Sequence, residues 1–168
     1  MSNLPKEKIL ILEALQDEDQ NDIKKFKTGK ITAVQLSDYN QTRSKFLREI
    51  IDTYGFPTIT TSSLTAYRTA ILIALHSEDA DLLDISIKTL TNAKRADVDK
   101  KDIAFLTDKA RIIRSLPQLY GTQFRLLDNC RIEFIEIEDE KNIDTRRRML
   151  GLESFSEYKK RVSEILRQ

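Results

Sequence analysis

The sequence predicts a mainly α-helical domain of about six helices, with one small β-hairpin in its C-terminal third. Three observations predict it. Apolar residues recur at helical spacing from Pro5 to Pro117. Glycine and proline number only 4 and 3 among 168 residues, which leaves little room for long irregular stretches. After Pro117 the periodicity gives way to two extended-looking runs.

The elements follow in order. Pro5 suits the first turn of a helix that carries Leu12, Leu15, Ile23 and Phe26 and stops at Gly29. Asp19 stands where an apolar residue should continue that stripe. Either the helix breaks near Asp17 or an acid points inward. Ser37 reads as the N-cap of a second helix, with Tyr39, Phe46, Ile50 and Tyr54 on one face and Gly55-Phe56-Pro57 ending it. A third helix runs from about Leu64 to His76 and buries Leu64, Tyr67, Ile71 and Leu75. Ser77 caps a fourth, with Leu83, Ile87 and Leu90 as its stripe. A fifth begins near Lys101 and ends at Pro117. Ile103, Leu106, Ala110 and Ile113 form one apolar strip, and Phe105 and Ile112 a second, so this helix should be central.

Gln123–Leu127 and Cys130–Ile137, separated by Asp128-Asn129, read as the hairpin, with the alternation slipping at Phe134 and Ile135. A short helix then carries Arg146, Arg147 and Arg148 and stops at Gly151. Ser154 and Glu157 form a capping box for the last helix, whose stripe is Phe155, Tyr158, Val162, Ile165 and Leu166. The chain reads as a single domain over residues 1–168, long enough to bury a real core.

Bulk composition excludes several classes. Lys+Arg total 28 and Asp+Glu 27, a formal net charge of +1, which favours neither a nucleic-acid nor a membrane partner. The single cysteine, Cys130, precludes an internal disulfide and fits a reducing cytoplasm; beside a strand it reads as a core residue. The N-terminal apolar run is too short, and followed too soon by acids, for a signal peptide. There is no Gly-rich phosphate loop, no HExxH and no Gly-x-Ser-x-Gly.

The candidate site residues are polar groups in unexpected places. His76, the only histidine, stands at a helix C-terminus just before Glu78, Asp79 and Asp81. It is a candidate general acid/base, a metal ligand completed by those acids, or a helix cap binding free carbonyls. Asp108 falls with Phe105 and Ile112 on an apolar face, so it is either a tuned carboxylate or half of a structural ion pair. Asp19 with Gln20 poses the same question. Gln118, Tyr120, Thr122 and Gln123 crowd around Gly121. That glycine either admits a ligand close to the backbone or simply permits a positive φ in a turn. Arg146 and Arg147 are candidates to bind an anionic group, since three consecutive arginines cannot share one helix face.

These residues recur in a family pattern. Asp19-Gln20, Tyr54-Gly55-Phe56-Pro57-Thr58, His76-Ser77-Glu78-Asp79, Leu106-Thr107-Asp108-Lys109, the run Pro117 to Gln123, Arg146-Arg147 with Gly151-Leu152, and Tyr158 follow in sequence. In this the chain resembles a bacterial family of domains of unknown function whose signature is Pro-Gln-x-Tyr-Gly-Thr-Gln. The likeness spans about residues 19–158. Phe56 replaces a tryptophan of the pattern, Leu75 a glutamine, and Lys109 an arginine, exchanging a bidentate contact for a point charge. The resemblance implies no activity, but it implicates the same polar residues.

The expectation is a domain binding a small polar or anionic molecule; whether it uses a cofactor is unknown from the sequence. On this reading His76, Asp108 and Tyr120 do the chemistry of a hydrolase or transferase. Asp19, Gln20, Gln118, Thr122, Gln123, Arg146 and Arg147 bind the ligand. The alternative is a non-catalytic interaction module, of immunity or effector-associated type, binding a protein partner or a second copy of itself. Its polar cluster would then fix the fold.

Overall fold

The computed structural model describes residues 3–127 and 131–165. The chain forms two compact units, Met1–Val98 and Asp99–Gln168. The hairpin turn with Cys130, and Leu166, lie outside the described residues.

The first unit is a bundle of α1 (Lys6–Lys27), α2 (Ala33–Tyr54), α3 (Leu64–His76) and α4 (Ala80–Asn92). Helices α1, α2 and α3 pack on one another, and α4 packs on α3. Its core includes Leu12, Leu47, Ile50, Tyr67, Ile73 and Leu82, each almost wholly buried.

Helix α1 runs unbroken past Asp17, so the inward-pointing acid is the correct alternative. Asp19 and Asp22 are two of the three residues α1 buries, and Phe26 is exposed. Helix α2 starts five residues earlier than an N-cap at Ser37 would give. Its N-cap is Thr32, whose side chain accepts from the Gln35 amide while Gln35 accepts from the Thr32 amide. Its buried stripe is Arg43, Ser44, Leu47, Ile50 and Ile51; the expected Tyr39 is exposed. Helix α3 has the expected bounds, but Leu64 faces solvent, and the alanines Ala66, Ala70 and Ala74 join Tyr67 and Ile71 inside. Asp79 caps α4, where Ser77 was expected: its Oδ1 accepts from Asp81 and Leu82, and Ser77 Oγ accepts from the Asp79 amide.

The second unit holds α5 (Lys101–Ile113), the antiparallel pair β1 (Phe124–Leu127) and β2 (Arg131–Phe134), a one-turn 3-10 helix (Glu140–Asn142), α6 (Ile143–Met149) and α7 (Phe155–Ile165). There are thus seven α-helices among the described residues, where about six were expected. Helix α5 ends before Pro117, because the chain turns left-handed at Ser115 (φ 57°). The hairpin pairs Phe124 with Phe134 and Leu127 with Arg131. Where the alternation slips, β2 ends, and Ile137 instead bridges in parallel to Gln118. Ile143, Phe155, Tyr158 and Val162 form a core against which Phe124, Ile132, Phe134 and Ile137 pack. Ser154 and Glu157 cap α7 reciprocally, as expected.

Candidate functional site

The ten candidate residues divide into two clusters. Asp19, Gln20 and His76 belong to the first unit. Asp108, Gln118, Tyr120, Thr122, Gln123, Arg146 and Arg147 belong to the second.

In the second unit side chains bind most of the backbone groups of the run Pro117 to Gln123, and the backbone of Glu136 and Glu138 binds those of Gln118. Asp108, fully buried on α5, accepts four hydrogen bonds. Its Oδ1 takes the amides of Leu119 (2.8 Å) and Tyr120 (3.0 Å), and its Oδ2 the amide and hydroxyl of Thr122 (both 2.9 Å). The carbonyls are held from the other side. Arg146 Nε donates to Leu119 O at 2.7 Å, Arg147 Nη1 to Tyr120 O at 2.5 Å, and the Tyr158 hydroxyl to Thr122 O at 2.9 Å. Gln118 acts as a surrogate peptide. Its Oε1 accepts from the Gln123 amide, and its Nε2 donates to the carbonyls of Gln123 and Ile135.

Arg147 is 1% exposed, donates also to Glu153 O, and lies 4.8 Å from the Tyr158 ring centroid. Burial pushes the Asp108 carboxyl above its usual range, with the four donors opposing it. Burial, then the Asp108 charge, push the Tyr120 phenol up as well, which disfavours a phenolate there.

Gly121 has φ +65°, and a Cβ would lie 2.7 Å from Phe155 Cε2 and 3.0 Å from Ile143 Cδ1. The turn needs a glycine both for its left-handed backbone and for close packing on apolar side chains.

The first unit's cluster differs: it opens to a cavity. Asp19 is 1% exposed, and its Oδ1 lies 3.0 Å from His76 Nδ1. Gln20 Nε2 donates to Asp19 Oδ2 at 3.2 Å. Behind Asp19 sits Arg43, with Nη1 3.6 Å away and Nη2 donating to Asp22, which Lys25 also binds at 2.9 Å. The buried charges of α1 are therefore paired. Burial raises the Asp22 carboxyl, but hydrogen bonds from Lys25 and Arg43 outweigh that and hold it below its usual 3.8.

The His76 side chain remains 30% exposed, at the edge of a cavity of about 710 Å³. The cavity lies along one face of α2, from Ala33 to Glu49, between the end of α1 at Phe26 and the α3–α4 corner at Ser77 and Asp79. A carboxylate only accepts, so in the neutral ring the Asp19 contact places the proton on His76 Nδ1 and leaves Nε2 as the acceptor.

Sequence reasoning missed Arg43, which the 4-3-1 spacing of Arg43, Leu47, Ile50 and Ile51 places on the buried face. It also missed the α2 wall, which offers no such signal. Among the described residues, no group of three or more His, Cys, Asp or Glu is placed to hold a metal ion. Nor is any helix there long and apolar enough to cross a membrane.

A helical bundle unit followed by a hairpin-containing unit with a side-chain-clamped loop is the class these features define. The model of a family of unknown function (DUF6624) matches residues 16–166, and the chain belongs to that family. No curated protein and no solved structure matches it.

Proposed function

We propose that the cavity of the first unit is the functional site, that His76 is its general acid/base, and that the reaction is hydrolysis or group transfer on a small polar substrate. The observation that carries this is the buried Asp19 carboxylate bonded to Nδ1 of a histidine that lines the cavity. A buried acid orienting an accessible imidazole is the base half of a general-base constellation. Nε2 takes the proton of a water as its oxygen attacks the electrophilic carbon or phosphorus. The resulting imidazolium, balanced by Asp19, returns that proton to the leaving group. A substrate hydroxyl in place of water makes the same step a transfer. The cavity volume falls within the range of small-molecule sites.

On this reading Asp108, Gln118, Tyr120, Thr122, Gln123, Arg146 and Arg147 are architecture. Their polar groups are largely spent on one loop, and this observation favours the structural alternative for the second unit. The single cysteine agrees with a cytoplasmic setting.

The test is the tautomer of His76, the only histidine in the chain. Long-range ¹⁵N–¹H spectra of the neutral ring should show Nδ1 protonated and Nε2 bare. A neutral ring protonated at Nε2 would remove the base from the site.

A further inference from the structure

The α2 wall of the same cavity holds an unsatisfied donor. Arg48 Nη1 is buried and has no hydrogen-bond partner, alone in this among the side-chain nitrogens and oxygens of the described residues. Its surroundings are acidic but too distant to bond it. Asp79 Oδ2 stands 3.8 Å from Nη1, and Asp52 Oδ1 3.5 Å from Nε. These separations give charge attraction without a well-formed hydrogen bond. Native proteins leave few buried donors unpaired, and such a group calls for an acceptor. Arg48 lines the cavity and its side chain is 33% exposed, so a local turn of the guanidinium, with the helices left in place, would offer Nη1 to an acceptor arriving there.

The charges around the cavity select the acceptor. Lys45 and Arg48 share the lining with Glu49, Glu78 and Asp79. A dianion would meet three carboxylates with only two cations to offset them. A monoanion needs one good donor pair and faces less repulsion. Phe26, Ala33 and Leu36 supply an apolar wall for the rest of the molecule. We infer that the cavity binds small monocarboxylates with an apolar body, their carboxylate taken by Arg48. This rests on the cavity being the functional site, and it names the substrate class.

The experiment titrates hexanoate, benzoate and inorganic phosphate into the full chain by isothermal calorimetry. Wild type, Arg48→Gln, Arg48→Lys and Arg68→Gln are compared, with the thermal midpoint of each recorded. Hexanoate and benzoate should bind wild type more tightly than phosphate does. Arg48→Gln should weaken the carboxylates by about 10- to 100-fold, the loss of a charge-assisted bond. Arg48→Lys should fall between the two, and it serves as the test should Arg48→Gln not fold. Arg68→Gln, an exposed arginine of α3 outside the cavity lining, should bind hexanoate within about threefold of wild type. Retained binding in a folded Arg48→Gln, tighter binding of phosphate, or no carboxylate binding to wild type would each overturn the inference. Carboxylate binding combined with the wrong His76 tautomer would instead sink the acid/base reading and leave this one standing.

Discussion

Asp108→Asn isolates what the clamped loop contributes. Asparagine keeps the shape and can still accept from Leu119 and Tyr120 through its oxygen. Its amide, however, now faces the Thr122 amide, a donor against a donor. The Thr122 hydroxyl can turn and accept, but the backbone N–H cannot. One buried N–H left unpaired costs about 1–3 kcal/mol, and two bonds reduced from charge-assisted to neutral add about 1 kcal/mol. The sum is about 2–4 kcal/mol. For a chain of this size that lowers the melting temperature by about 4–16 °C. Thermal unfolding followed by circular dichroism at pH 7 measures it. A midpoint within about 1 °C of wild type would mean that Asp108 does not hold the loop, and its buried carboxyl would return as a candidate catalytic group.

Two other outcomes follow from the same contacts. Gly121→Ala should destabilise by about 2–3 kcal/mol, from a left-handed alanine and a Cβ driven against Phe155; urea unfolding reads this as a lower midpoint. Asp22 sets an acid limit on the first unit. Its folded pKa lies below the unfolded 3.8, so its stabilisation is complete above that pH and is lost as the pH falls through the folded value. Urea midpoints from pH 6 to pH 2 should show wild type losing ground to Asp22→Asn only below about pH 4.

Much of this was legible in the sequence. Leu64–His76 and the start of α7 were readable because their limits are set locally, by caps within three residues. Asp19 was readable as an anomaly because a carboxylate stood in an apolar stripe. The start of α2 was obscured because Thr32 and Ser37 offer the same chemistry, and the reciprocal bond from Gln35 decides between them. Its buried face was obscured because Arg43 and Ser44 occupy positions where an apolar residue marks the interior; their partners come from α1 and from the preceding turn.

The cluster around Gly121 was visible as a concentration of polar groups, but donor and acceptor capacity does not say where a group will be spent. Asp108 lies eleven residues before the first amide it binds, and Arg146 lies 27 after its carbonyl. Arg48 gave no signal at all, since an arginine on a mixed helix face looks solvated until the fold buries one of its nitrogens.

The most direct measurement of the central claim, that the chemistry belongs to the first unit's cavity, is the hydrolysis rate of a panel of small carboxylic and phosphoric esters and amides. Wild type is set against His76→Ala, with the thermal midpoint of both recorded. The account predicts turnover by wild type and a loss of about 10²- to 10⁴-fold in a His76→Ala variant that stays folded, its midpoint lowered because the buried Asp19 Oδ1 loses its hydrogen bond to the ring. Turnover that survives His76→Ala, or a variant that merely unfolds, would contradict it.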